Sequence, residues 1–199
     1  MILNPLIVPP VLFGLMEFSN GQTGVLFWRI LGTAGLMYCV APLAYLIVLL
    51  KRGAIENIEA RDRKKRQKPL FLGVTWLFLS IPVMASPGSE NQFLTVLIAS
   101  VVAINSLFLA LINRSFKISI HSAAISGLFA ILLALLLTKH VGILPFGGWL
   151  LFGAFLMIPA VAWARIRAQA HQPREVFWGI VLGITAPVLE IYLVSIFKP

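Results

Sequence analysis

Long uncharged apolar stretches recur along the chain, parted by short polar joints and by turn residues. The first, residues 2–18, carries Pro5, Pro9 and Pro10 and reads as a short kinked span, with a re-entrant piece as its alternative. The others run over about 25–50, 70–85, 93–112, 118–138, 146–164 and 175–197. A helix crosses a bilayer in about 20 apolar residues. Stretches this long and continuous are poor barrel strands, and lipid admits only helices and closed barrels. The pattern predicts an all-α, polytopic transmembrane helical bundle of six or seven spans, forming one membrane domain over residues 1–199. Segment 1–24 is a candidate accessory piece of it. No internal repeat, low-complexity tract or soluble domain interrupts the pattern.

Composition agrees: 59% of residues are hydrophobic, 12% are charged and the mean hydropathy is +0.94. An ordinary soluble domain carries about twice that share of charge, and disorder needs low hydrophobicity. The N-terminus lacks an early Lys or Arg and a clear small-residue cleavage site, so it does not read as a cleaved signal peptide. Cys39 is the single cysteine, which leaves no disulfide within the chain and no cysteine metal site. Asp62 is the single aspartate, which excludes intramembrane prenyltransferases and CDP-alcohol phosphotransferases built on Asp-rich motifs.

The net charge of +9 is unevenly placed. Residues 51–69 hold eight Lys/Arg, 113–117 hold two and 165–174 hold three, out of 16 in all. Two spans separate each of these segments from the next, so all three lie on one membrane face. Arg29, Lys139 and Lys198 fall on the other. The positive-inside rule makes the basic face cytoplasmic, in a prokaryotic inner membrane. It also accounts for the charge better than nucleic-acid binding does, so no nucleic-acid partner is expected.

One basic segment contains a histidine and another is closely followed by one. His121 lies just inside the fifth span. His171 lies before the last span, four residues ahead of Glu175, a spacing that lets the two hydrogen-bond across a helical turn. A carboxylate on one imidazole nitrogen fixes the tautomer and makes the other nitrogen a better base or nucleophile. Arg61, Lys68 and Arg165 suit phosphate oxygens, and the start of the fifth helix offers unsatisfied N–H groups to an anion.

The three segments together resemble the type 2 phosphatidic acid phosphatase superfamily of membrane phosphatases. Its motifs are, in order, K-x6-R-P, P-S-G-H and S-R-x5-H-x3-D. Arg61 to Pro69 reads R-x6-K-P, with the two basic residues exchanged. Ile118-Ser119-Ile120-His121 keeps Ser and His of the second motif. Ala164-Arg165, His171 and Glu175 keep the spacing of the third, with Ala for Ser and Glu for Asp. The resemblance covers about residues 50–180, which places a family-like core over about 50–197. The start, Asn4-Pro5-Leu6-Ile7-Val8-Pro9-Pro10, is also similar to that of short bacterial members.

The resemblance implies hydrolysis of a lipid phosphate or prenyl (di)phosphate through a phosphohistidine. His171 would attack phosphorus, Glu175 would orient it, and His121 would protonate the leaving oxygen and then activate water. Arg61, Lys68, Arg165, Ser119 and the Ile120 N–H would hold the phosphate. No metal and no cofactor is implied; the partners are the substrate and the bilayer. Three departures stand against full activity. Ile120 replaces a Gly beside the phosphate, Ala164 lacks a hydroxyl, and Glu175 is one methylene longer than Asp. Losing such a donor costs on the order of tenfold to a thousandfold in rate. The alternatives are a transferase or diphosphate-eliminating enzyme of the same fold, and a catalytically impaired lipid-binding subunit of a membrane complex.

Five further features read as structure, lie away from the site or stay open. Ala124-Ile125-Ser126-Gly127 reads as helix packing and Asn105 as an interhelical hydrogen bond. Glu190, an intramembrane acid, reads equally as functional or as paired with a Tyr or Lys. Trp28, Trp149, Trp163 and Trp178 fit interfacial belts. His140 falls on the far side, away from the proposed site.

Overall fold

The structure is a computed structural model that describes residues 5–55, 63–85, 92–138 and 147–197. Every element among them is a helix: α1 (Val8–Ser19), α2 (Gly24–Ala34), a π-helix (Gly35–Val40), α3 (Ala41–Lys51), α4 (Arg63–Met84), α5 (Gln92–Ser115), α6 (Ile120–Leu137), α7 (Gly147–Arg167) and α8 (Pro173–Phe197). Five described stretches are long and apolar enough to cross a membrane: Gly24–Lys51, Gln67–Met84, Gln92–Ser115, Ile120–Leu137 and Pro173–Ile196. At 21 residues, α7 matches them in length.

Two boundaries differ from the hydropathy reading. The expected first span is a helix of 12 residues, about 18 Å at 1.5 Å per residue. The hydrocarbon core is about 30 Å thick, so α1 on its own reaches only part of the way. It is nonetheless part of the bundle: Leu12, Phe13 and Met16 are fully buried. Buried Glu17 accepts a hydrogen bond from Thr95 Oγ1 at the start of α5. The second difference is at α4, which begins at Arg63 inside the segment expected to be loop. Lys, Arg and Gln are good helix formers, so the helix extends past the end of the apolar run.

The centre of the molecule is the pair α6 and α8, whose mutual packing is the most extensive in the fold. Small residues bring their backbones together. A Cβ on Gly179 would lie 2.6 Å from the carbonyl oxygen of Ser119, and one on Gly183 would overlap Ser126 Oγ and the Ala123 carbonyl. Ser126 Oγ bonds within α6 to the Ser122 carbonyl at 2.8 Å and lies 3.3 Å from the Ile180 carbonyl of α8. The 124–127 segment is therefore a packing surface, as its small residues suggested. Asn105 Nδ2 donates to Glu190 Oε2 at 2.9 Å, joining α5 to α8. The partner of Glu190 is thus an amide rather than a Tyr or Lys. The four belt tryptophans are all exposed on the bundle surface.

Gly24–Lys51 is one continuous helical stretch with a π-turn in its middle. The Ala41 N–H reaches back five residues to the Leu36 carbonyl. The next donor in that register would be residue 42, but Pro42 has no N–H. The Met37 carbonyl it would have served instead accepts the indole N–H of Trp76 at 2.7 Å. Beyond this turn α3 has no buried residue, and its extensive contacts are confined to the π-helix.

Candidate active site

The site is assembled where three chain segments meet: the start of α6, the end of α7 and the start of α8. Ser119 is the N-cap of α6, in extended conformation, with its hydroxyl accepting the Ser122 N–H at 3.3 Å. Capping of this kind satisfies a donor the first helical turn leaves over. The Ser119 backbone N–H donates to the Glu175 carbonyl at 3.1 Å, which ties α6 to the first turn of α8.

The turn between α7 and α8 places His171. Ala170 N–H donates to the Arg165 carbonyl and Gln169 N–H to the Ile166 carbonyl, with Gln169 at φ 51°. This pair of bonds around a left-handed residue is the Schellman ending of a helix, usually made with Gly. A Gln there costs about 1 kcal/mol or more of backbone strain. The turn ends α7 at Arg167 and brings His171 back beside the head of α8.

His171 Nδ1 and Glu175 Oε2 are 2.8 Å apart, both side chains being buried. The same carboxylate oxygen accepts the Gln172 N–H at 3.2 Å. Burial pushes the His171 imidazole down to about pKa 4 from the ordinary 6.5, with Lys117 and Arg165 adding to the fall and Glu175 opposing it. His171 is therefore neutral at pH 7. An ionised carboxylate only accepts, so the imidazole proton sits on Nδ1 and Nε2 carries the free lone pair. Lys117 Nζ donates to the Ala170 carbonyl at 3.0 Å and stands 3.9 Å from Glu175 Oε2.

His171 also lines a cavity of about 400 Å³, together with His121, Ile120 and the buried Arg165. Apart from Ser106, the rest of its wall is apolar or aromatic. Leu6 and Pro9 come from the α1 region; Tyr38, Pro42 and Tyr45 come from the π-helix and α3. Leu70, Gly73 and Trp76 of α4, with Val102 and Ser106 of α5, complete it. The cavity has one polar end and a hydrocarbon-like body. Its size falls within the range of small-molecule sites, about 300–1,000 Å³.

The residues singled out from sequence are thus partly gathered. His121, His171, Arg165 and Ile120 line the polar end, and Glu175 bonds His171 from behind. Ser119 is fully buried as the cap of α6 and does not line the cavity. Lys68 is exposed near the start of α4, while its neighbour Pro69 lines the cavity. Arg61 and His140 lie outside the described residues. Sequence reading missed Lys117 as a contact of this site, having counted it only as a topology charge. It also missed the aromatic wall of Tyr38, Tyr45 and Trp76. The one signal for that wall was Pro42, a helix-interior proline that disturbs the backbone bonds around it.

Among the described residues no group of three or more His, Cys, Asp or Glu is placed to hold a metal ion. Comparison of the chain with protein-family models, with curated proteins and with solved structures finds no match.

Proposed function

We propose that the chain is a membrane phosphatase of the type 2 phosphatidic acid phosphatase kind, acting on a lipid phosphate or prenyl (di)phosphate. The observation that carries this reading is the His171–Glu175 pair at the polar end of an otherwise apolar cavity. A soluble phosphoester has no use for such a body; an amphiphile with a phosphorylated head fits both ends.

In this reading His171 Nε2 donates its lone pair to phosphorus, an N–P bond forms and the P–O bond to the lipid alcohol breaks. His121, when protonated, gives its proton to the leaving oxygen. It then takes a proton from water, which attacks phosphorus and releases inorganic phosphate and neutral His171. The positive charge that His171 gains on attack is offset by Glu175. Charge on the phosphoryl oxygens is met by buried Arg165 and by the N–H groups of the first turn of α6. The chemistry requires no metal. The tail enters sideways from the bilayer, and the basic face lies in the cytoplasm of a prokaryotic inner membrane. On that orientation a cysteine at position 57, in a Cys39→Ala background, is labelled by an impermeant reagent only from the cytoplasmic side. Labelling from outside alone would overturn it.

A second reading has its own observation. The Ser119 side chain is fully buried and does not line the cavity, which removes one expected phosphate donor and favours a lipid-binding protein with little turnover. Phosphate release separates the two. Purified protein in detergent with EDTA, given phosphatidate, phosphatidylglycerophosphate and prenyl mono- and diphosphates, is expected to release phosphate. His171→Ala and His121→Ala should each lower the rate by about a hundredfold or more. Binding of these lipids with no release by the wild type would leave the second reading; equal release by His171→Ala would remove the mechanism.

A further inference from the structure

Lys117 stands where no motif places a functional residue. It lies in the joint between α5 and α6, two residues ahead of the Ser119 cap, with its side chain about one-third exposed. Its ammonium makes two contacts, and both concern His171. One is the 3.0 Å hydrogen bond to the carbonyl of Ala170, the residue immediately before it. The other is the 3.9 Å approach to Glu175 Oε2, the oxygen that His171 Nδ1 and the Gln172 N–H already share. Lys117 thus connects the joint before α6 to the strained turn after α7 across the site.

We propose that Lys117 is a positioning residue for His171. It pins the Ala170 carbonyl and offsets the Glu175 carboxylate, so that the imidazole keeps one proton, on Nδ1, and leaves Nε2 bare. The proposal rests on the reading of His171 as the nucleophile. Its electrostatic sign follows from charge alone. A carboxylate next to an imidazole draws a second proton onto the ring, and that proton would occupy the attacking lone pair. A cation against the same carboxylate weakens the pull. The charged and titratable groups around His171 are Glu175 of α8, Arg165 of α7, Lys117 of the joint and His121 of α6, which lines the same cavity. Glu175 alone favours the imidazolium. Lys117 and Arg165 oppose it, and Arg165 is already assigned to the phosphate. Once an anionic phosphate arrives and neutralises Arg165, Lys117 is, among the described residues, the cation left beside Glu175 to hold the ring neutral.

The test reads His171 directly and does not depend on turnover. The chain has three histidines. Labelled imidazoles are followed by NMR against pH in detergent, with His171→Asn and His121→Asn assigning the signals. Lys117→Met should move the His171 midpoint up by about one pH unit and weaken the Nδ1–H signal. Lys117→Arg, which keeps charge and reach, should stay near the wild-type midpoint. In wild type and variants alike, the acid limb of phosphate release should move with the midpoint. A Lys117→Met midpoint equal to the wild type would overturn the proposal. If instead the midpoint moves but the wild type releases no phosphate, the phosphatase reading fails and the role of Lys117 toward His171 stands.

Discussion

The α6–α8 pair and the Gly24–Lys51 stretch solve opposite problems with the same apolar alphabet. Between α6 and α8, Gly179, Gly183, Gly127 and Ser126 let the backbones approach until no Cβ fits at two of these positions. In lipid, where burial from water contributes nothing between helices, such contact depends on dispersion and on short polar links. The α2–π–α3 stretch contains Gly32 and Gly35 as well, but a Cβ at either meets nothing within 4 Å. Its second half buries no residue. His121 and Glu175, the side chains of the tight pair that the proposed function uses, sit at its ends, where 1 Å matters. The second half of the loose stretch supplies cavity wall through Pro42 and Tyr45, next to the buried Tyr38 of the π-helix, and on the proposed function a hydrocarbon tail passes along that wall. Rigidity and access are divided between two parts of one bundle.

The strongest way to break this division is to exchange tolerance. Gly183→Ala forces a Cβ into Ser126 and the Ala123 backbone, so the helices must separate. The expected cost is about 3 kcal/mol or more, at the upper end of overpacking effects. Phosphate release should fall with it, because the Ser119–Glu175 backbone bond depends on the same approach. Gly32→Ala should be neutral, or stabilising by up to about 1 kcal/mol, since Ala is the better helix former and the space is open. Unfolding in mixed micelles measures both. Equal tolerance at the two positions would contradict the contrast.

How much of this was legible in the sequence follows the same line. Hydropathy placed the described apolar helices to within a few residues, apart from the basic start of α4, because transfer to lipid acts on each segment independently of its neighbours. It reads the first segment as a short kinked span or a re-entrant piece, and the structure has there a helix of 12 residues packed into the bundle. Three prolines and an apolar run say nothing about whether a helix continues past its partner. The i,i+4 spacing of His171 and Glu175 anticipated their contact. Backbone geometry between them is local, so spacing suffices. Lys117 was not legible, because its two partners lie 53 and 58 positions away and depend on how α6 meets α8. Ser119 was legible as a hydroxyl beside the site but not as a cap, a role decided by where α6 begins. The tightness of α6–α8 was half visible in its small residues, whereas the looseness of α3 left no trace in composition.

The smallest expected effect concerns the joint between the tight and loose halves, and it has a distinctive form. Pro42 withholds the N–H that the π-register would direct to Met37, and Trp76 Nε1 of α4 fills the gap at 2.7 Å. A polar group without a partner at membrane depth is costly, so Trp76→Phe should destabilise by about 1 kcal/mol. Most of that should be the orphaned carbonyl rather than the lost ring area, because Phe fills much of the same wall. Pro42→Ala supplies a backbone donor in the same helix, which either serves Met37 directly or lets the turn relax toward ordinary α-helix. In both cases Trp76 loses its particular task. Trp76→Phe should then cost little in the Pro42→Ala background, giving a coupling of about 0.5–1 kcal/mol in a double-mutant cycle. Strict additivity would mean that the tryptophan contributes only packing. In that case the π-turn must be held by something other than the bond from α4, and the loose stretch would be independent of the half of the bundle that holds the proposed site.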